Sequence, residues 1–162
     1  MLIQKFQRTG NIGYLQQALD IGEKLVDNVP KDDPFRADFL NSLAIDLGRE
    51  FERTGDMTNL DQAIARLQEA IEITPEGSNP REISMASFAT RLFRRYERQR
   101  DPKDIEQAIS RLEEEINLVD QENLETPMYL MNLANMLVSR YERNKHRDEL
   151  ERSLSLLQEA LR

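Results

Sequence analysis

Phe6, Phe51, Tyr96 and Tyr141 stand 45 residues apart, and the interval does not drift along the chain. The same offset brings Leu15, Leu60, Ile105 and Leu150 into register, then Ala18, Ala63, Ala108 and Ser153, then Leu19, Ile64, Ile109 and Leu154. Polar positions obey it too, as in Arg8, Arg53, Arg98 and Arg143. Self-similarity at one fixed period restricts a chain to stacked supersecondary units, each too small to bury its apolar side alone. The units run approximately over residues 1–35 (partial), 36–80, 81–125 and 126–162 of a single array.

Two apolar stripes of helical period occupy each unit. Leu40, Leu43, Ala44, Leu47 and Phe51 follow the i, i+3, i+4, i+7 spacing of an amphipathic helix. Met85, Phe88, Ala89, Leu92 and Tyr96 repeat that stripe, as do Leu130, Leu133, Ala134, Leu137 and Tyr141. The second stripe passes through Leu60, Ala63, Ile64, Leu67 and Ile71, with equivalents from Ile105 to Ile116 and from Leu150 to Leu161. Asp33-Pro34, Asn79-Pro80 and Thr126-Pro127 read as capping residues followed by proline at the first helical position. Thr58 to Asp61 and Asp148 to Glu151 resemble capping boxes at the second helices. Each unit is therefore predicted to be a helical hairpin. The expected fold is all-α, a right-handed α-α superhelix (solenoid) of tandem hairpins with about eight helices, the first of them truncated.

Composition agrees with that architecture and excludes several function classes. With 39% hydrophobic and 32% charged residues, much of the surface stays wet, as in arrays where each layer buries one stripe. No cysteine is present, which removes disulfides, thiolate metal sites and a cysteine nucleophile. A net charge of −8 disfavours nucleic acid, whose affinity comes largely from Lys and Arg displacing condensed counterions. No apolar run reaches the ~18 residues of a membrane span, and the opening residues are too polar for a signal peptide. The expectation is a cytoplasmic protein.

The ordered small and large positions resemble the tetratricopeptide repeat (TPR), whose pattern is W-x2-L-G-x2-Y, A-x3-F and P. Leu40, Leu43-Ala44, Leu47, Ala63, Leu67 and Pro75 follow it in the second unit. Met85, Phe88-Ala89, Leu92, Ala108 and Leu112 follow in the third, and Leu130, Leu133-Ala134, Leu137, Ser153 and Leu157 in the fourth. Trp gives way to Leu or Met, Gly to Ala, and 45-residue units replace the usual 34, so the helices are longer. The resemblance implies a fragment of a larger multi-domain signalling protein, and a protein-interaction scaffold rather than an enzyme. HEAT and 14-3-3-like arrays are the less favoured alternatives.

Columns that repeat in every unit belong to the architecture, and columns that differ are candidates for recognition. In the resembled family, ligands lie along the first helices, in a concave groove. Here the stripe opposite the packing face runs through Asn41, Ile45 and Arg49, then Thr90 and Arg94, then Met131, Asn135 and Ser139. Asn suits a peptide backbone and Arg a carboxylate, so the expected partner is a protein or peptide. The arginines near the ends of the first helices are read first as cations that complement the helix C-terminal dipole, with an acidic peptide as the lesser alternative. Leu2, Ile3 and Phe6 at one end, and Leu154, Leu157 and Leu161 at the other, are candidates for homo-oligomeric stacking through open repeat ends, the alternative function. His146 has no second His or Cys to build a metal shell, and no catalytic constellation is legible, so neither cofactor nor metal is expected.

Overall fold

The computed structural model describes residues 2–76, 78–118 and 126–161. Among the described residues there are eight helices and no strand: α1 Leu2–Thr9, α2 Ile12–Asn28, α3 Arg36–Thr54, α4 Met57–Ile73, α5 Asn79–Gln99, α6 Pro102–Leu118, α7 Thr126–Asn144 and α8 Arg147–Ala160. The chain divides into two compact units, Met1–Ser84 and Met85–Arg162, the division falling within α5.

In the first unit α1 packs on α2, α2 on α3 and α3 on α4. The stripe Leu40, Leu43, Ala44, Leu47 and Phe51 is buried, as are Leu60, Ala63, Ile64 and Leu67 of α4. At Gly22 the α2 backbone comes so near α3 that a Cβ there would lie 3.1 Å from Leu43 Cδ1. Arginines fasten the helix ends. Arg36, buried at the start of α3, donates to the carbonyls of Val26 in the last turn of α2 (2.8 Å) and of Val29 just after it (2.7 Å), and to Glu69 of α4. Arg81, forty-five residues later, donates to the carbonyls of Ile71 and Thr74 in the same way. Carbonyls in the last turn have no partner within the helix, so each guanidinium satisfies acceptors that burial would otherwise leave unpaired.

In the second unit α6 packs on α7 and α7 on α8. Met85, Phe88, Ala89, Leu92 and Tyr96 of α5 are buried, with Ile105, Ala108, Ile109 and Leu112 of α6 and Leu130, Leu133, Ala134 and Leu137 of α7. Ser153, the polar member of an otherwise alanine column, is buried and donates to the Ala134 carbonyl at 3.2 Å.

The links between paired helices repeat one backbone device. Gly10, Gly55, Arg100 and Lys145 all have left-handed φ values of 67°, 72°, 60° and 61°. Their N–H groups donate to the carbonyls of Phe6, Phe51, Tyr96 and Tyr141 at 2.7–2.8 Å, closing the first helix. That conformation costs an L-residue about 1–2 kcal/mol. Arg100 and Lys145 offset part of it by placing their cations 5.4 and 5.5 Å from the Tyr96 and Tyr141 ring centroids. A Cβ at Gly55 would meet nothing within 4 Å, so Gly55→Ala isolates the backbone penalty. Its expected cost is about 1 kcal/mol in urea unfolding, and an unchanged midpoint would contradict the left-handed cap.

Helix starts differ in detail from the sequence expectation. The cap of α4 is Asp56, which accepts from Thr58 N at 2.9 Å, two residues before the expected capping box. Asn11 and Asp101 serve α2 and α6 alike. The N-cap of α8 is His146, without a side-chain bond, because Asn144 instead holds the His146 N–H. Asp33 accepts from Phe35 N and shapes the turn before α3, while the Ser78 carbonyl receives the first N–H groups of α5. The expected Thr126 cap lies outside the described side chains.

Candidate functional site

Thr90, Arg94, Asn135 and Ser139 meet in one cleft of about 330 Å³ in the second unit. Between them, α5 also contributes Phe93 and Glu97, and α7 contributes Asn132, Met136 and Val138. A second cleft of about 270 Å³ shares Thr90 and Asn132 and is completed by Ala86, Ser87, Arg91 and Met128. The two adjoin along α5 and α7, with a charged end at Arg94 and Glu97 and a largely apolar end at Ala86 and Met128. Helical spacing explains the convergence. Phe93 and Arg94 lie three and four residues after Thr90 and four and three before Glu97, and Asn135 and Met136 stand in the same way between Asn132 and Ser139, so each set shares a helix face.

The polar groups differ in how far the fold has used them. Arg94 Nη1 donates to Glu97 Oε2 at 2.8 Å, and both side chains remain well exposed. Thr90 Oγ1 donates to the Ala86 carbonyl at 2.9 Å, which leaves the hydroxyl oxygen as an acceptor. Asn135 is exposed and Asn132 half-buried, each carrying an amide that both donates and accepts.

The remaining groove candidates stand elsewhere. Asn41 departs from the expectation of an open peptide anchor: it is buried, its Nδ2 donates to Ser84 Oγ at 2.8 Å, and Ser84 Oγ lies 3.0 Å from its Oδ1. The cause is the partner column, where Phe39 and Tyr129 occupy the positions equivalent to Ser84. A small hydroxyl there admits the amide. Ile45 and Arg49 are half-buried on α3, and Arg49 Nη1 donates to Asp46 Oδ1 at 2.6 Å. Met131 is half exposed and stands outside the lining of both clefts.

Burial pushes the Asp46 carboxyl above its ordinary value of 3.8, and the hydrogen bond and charge of Arg49 only partly oppose this. A raised carboxyl pKa means the folded state binds the proton first. The site therefore gains stability as pH falls from the raised folded value to 3.8 and loses it as pH rises back through that window. Asp46→Asn is expected to raise the urea midpoint at neutral pH, with an advantage that fades on acidification toward 3.8. An advantage that grows on acidification would contradict the assignment.

The arginine band at the ends of the first helices is largely matched by the chain's own carboxylates. Arg53 pairs with Glu50, and Arg95 grips Asp104 through two bonds of 2.9 and 2.7 Å. Arg140 lies 2.9 Å from Glu106 and 2.8 Å from Glu149, and Arg143 lies 3.6 Å from Glu106. At the proposed ends, Leu2, Ile3, Phe6 and Leu157 are half-buried, while Leu154 is 54% and Leu161 87% exposed. Sequence reasoning missed Phe93, Glu97, Asn132, Met136 and Val138, although each lies on the same helix faces as a nominated residue. It also missed Arg36 and Arg81, whose shared offset was the available signal.

Among the described residues no helix is long and apolar enough to cross a membrane. No family model matches the sequence, and no curated protein matches it. Among solved structures, the chain is similar to a crystal structure from Podosopora anserina of nearly identical TPR-like repeats, in a protein assigned as a kinesin light chain. The likeness covers 94% of this chain and 70% of that one, with a TM-score of 0.62 and 16% sequence identity. At that identity it bears on the fold. The chain therefore has the fold of TPR-like helical repeats.

Proposed function

We propose that this chain is a protein-interaction scaffold that receives an extended peptide, or an extended segment of a partner protein, in the α5–α7 clefts. The supporting observation is convergence: Thr90, Arg94, Asn135 and Ser139, whose columns vary between units, line a single cleft in which Asn132 adds a second amide to that of Asn135. Amides at that spacing suit the alternating N–H and C=O groups of an extended backbone, with Phe93, Met136 and Val138 as apolar lining. The chain's own residues bind and orient, and no catalytic step is assigned to them. Peptides selected by display on the wild-type chain are expected to lose at least about tenfold in affinity, or about 1.4 kcal/mol, on Asn132→Ala plus Asn135→Ala. Unchanged circular dichroism controls for folding, and undiminished affinity in a folded variant would remove the cleft as the site.

A second reading, stacking through repeat ends, is favoured by one observation. Leu154 is 54% exposed, although its equivalents Ile64 and Ile109 are 6% and 3% exposed. Self-association through that face is expected to weaken on Leu154→Asp in concentration-dependent light scattering. A monomer at every concentration would exclude it.

A further inference from the structure

We infer that the peptide held by the α5–α7 clefts is electrically neutral, with an apolar residue toward Met128 and an uncharged hydrogen-bonding residue toward Arg94. This rests on the peptide-cleft reading and specifies its ligand. The charged end of the cleft carries one cation and one anion, Arg94 and Glu97, already joined at 2.8 Å. An incoming carboxylate would gain Arg94 only by lying beside the Glu97 carboxylate. An incoming cation would meet the reverse conflict. A neutral residue leaves the pair intact and takes its hydrogen bonds from groups that donate and accept, namely Asn132, Asn135 and the Ser139 hydroxyl.

The surroundings do not restore a net positive field, because Arg95, Arg140 and Arg143 are each paired with Asp104, Glu106 or Glu149. Arg91, in the second cleft, also has interactions within the fold. At the other end the apolar surface comes mainly from Met128, which is 48% exposed beside the buried Ala86. From Ala86 to Glu97 the α5 axis advances about 16 Å at the helical rise, the reach of about five extended residues. Neutral recognition of this kind depends little on ionic strength, whereas capture of an acidic tail would be strongly screened.

The test is an array of acetylated, amidated heptapeptides in neutral, acidic and basic sets, probed with the full chain at roughly 50 and 500 mM sodium chloride. It is probed in parallel with the Asn132→Ala plus Asn135→Ala variant. The expected result is enrichment of neutral peptides, loss of their signal in the variant, and less than about a twofold change across the salt range. Enrichment of acidic or basic peptides that the asparagine variant also loses, with more than about a tenfold salt effect, would overturn the inference and leave the peptide cleft standing. If no bound peptide depends on Asn132 and Asn135, the cleft reading itself fails and the inference falls with it.

Discussion

Ile109→Ala is expected to cost about 2–5 kcal/mol, whereas Leu154→Ala, at the equivalent position 45 residues later, should cost less than about 1 kcal/mol. The two residues fill one column of the repeat, so sequence pattern treats them alike. Burial separates them. Ile109 is 3% exposed on α6, the helix that α7 packs against, and truncation there leaves a cavity that the neighbours fill only in part. Leu154 is 54% exposed on α8 and gives up mainly surface that water already reaches. Urea unfolding of the two variants beside the wild type decides the matter. Equal losses would mean that α8 is covered in solution or that α6 is not.

Arg36→Met is expected to cost about 2–4 kcal/mol, more than any exposed ion pair in the chain. The substitution keeps most of the apolar stem and removes the guanidinium that serves the Val26 and Val29 carbonyls and Glu69 together. Arg36 is 7% exposed, so the carbonyls at the end of α2 and at its C-cap Val29 lose a partner that water cannot readily replace. The Glu69 side chain is 32% exposed and rehydrates, which keeps the cost below that of stranding a fully buried charge. Arg94→Met, which breaks a pair exposed on both sides, should cost under about 1 kcal/mol. Denaturant midpoints give the magnitudes, and faster amide exchange in the last turn of α2 would locate the Arg36 effect. Equal midpoints for the two variants would contradict the capping role.

The helices were legible because burial imposes a period. The stripes from Leu40 to Phe51 and from Met85 to Tyr96 are the buried faces of α3 and α5. Less legible were features in which one residue type does another's work. Gly10 and Gly55 signal left-handed caps, but Arg100 and Lys145 adopt the same φ, and only the 45-residue offset betrays them. Of the candidate groove residues, Thr90, Arg94, Asn135 and Ser139 line one cleft because helical spacing puts them on facing stripes, whereas Asn41 turns to Ser84 because that one unit replaces an aromatic residue with a serine. The arginine band left an acidic ligand open beside its helix-dipole reading because sequence shows charges without their partners. Some partners lie three residues away on the same helix, as with Asp46 and Arg49, and were readable. Others, as with Arg95 and Asp104, meet only when the hairpin closes.

The most direct test of the account is a titration of isotope-labelled protein with the tightest neutral peptide from the array, followed by NMR. The side-chain amides of Asn132 and Asn135 and the backbone amides of Thr90 and Ser139 are expected to shift together and saturate at one ligand concentration. Saturable shifts confined to α1 through α4, with those four residues unmoved, would contradict recognition through the α5–α7 clefts.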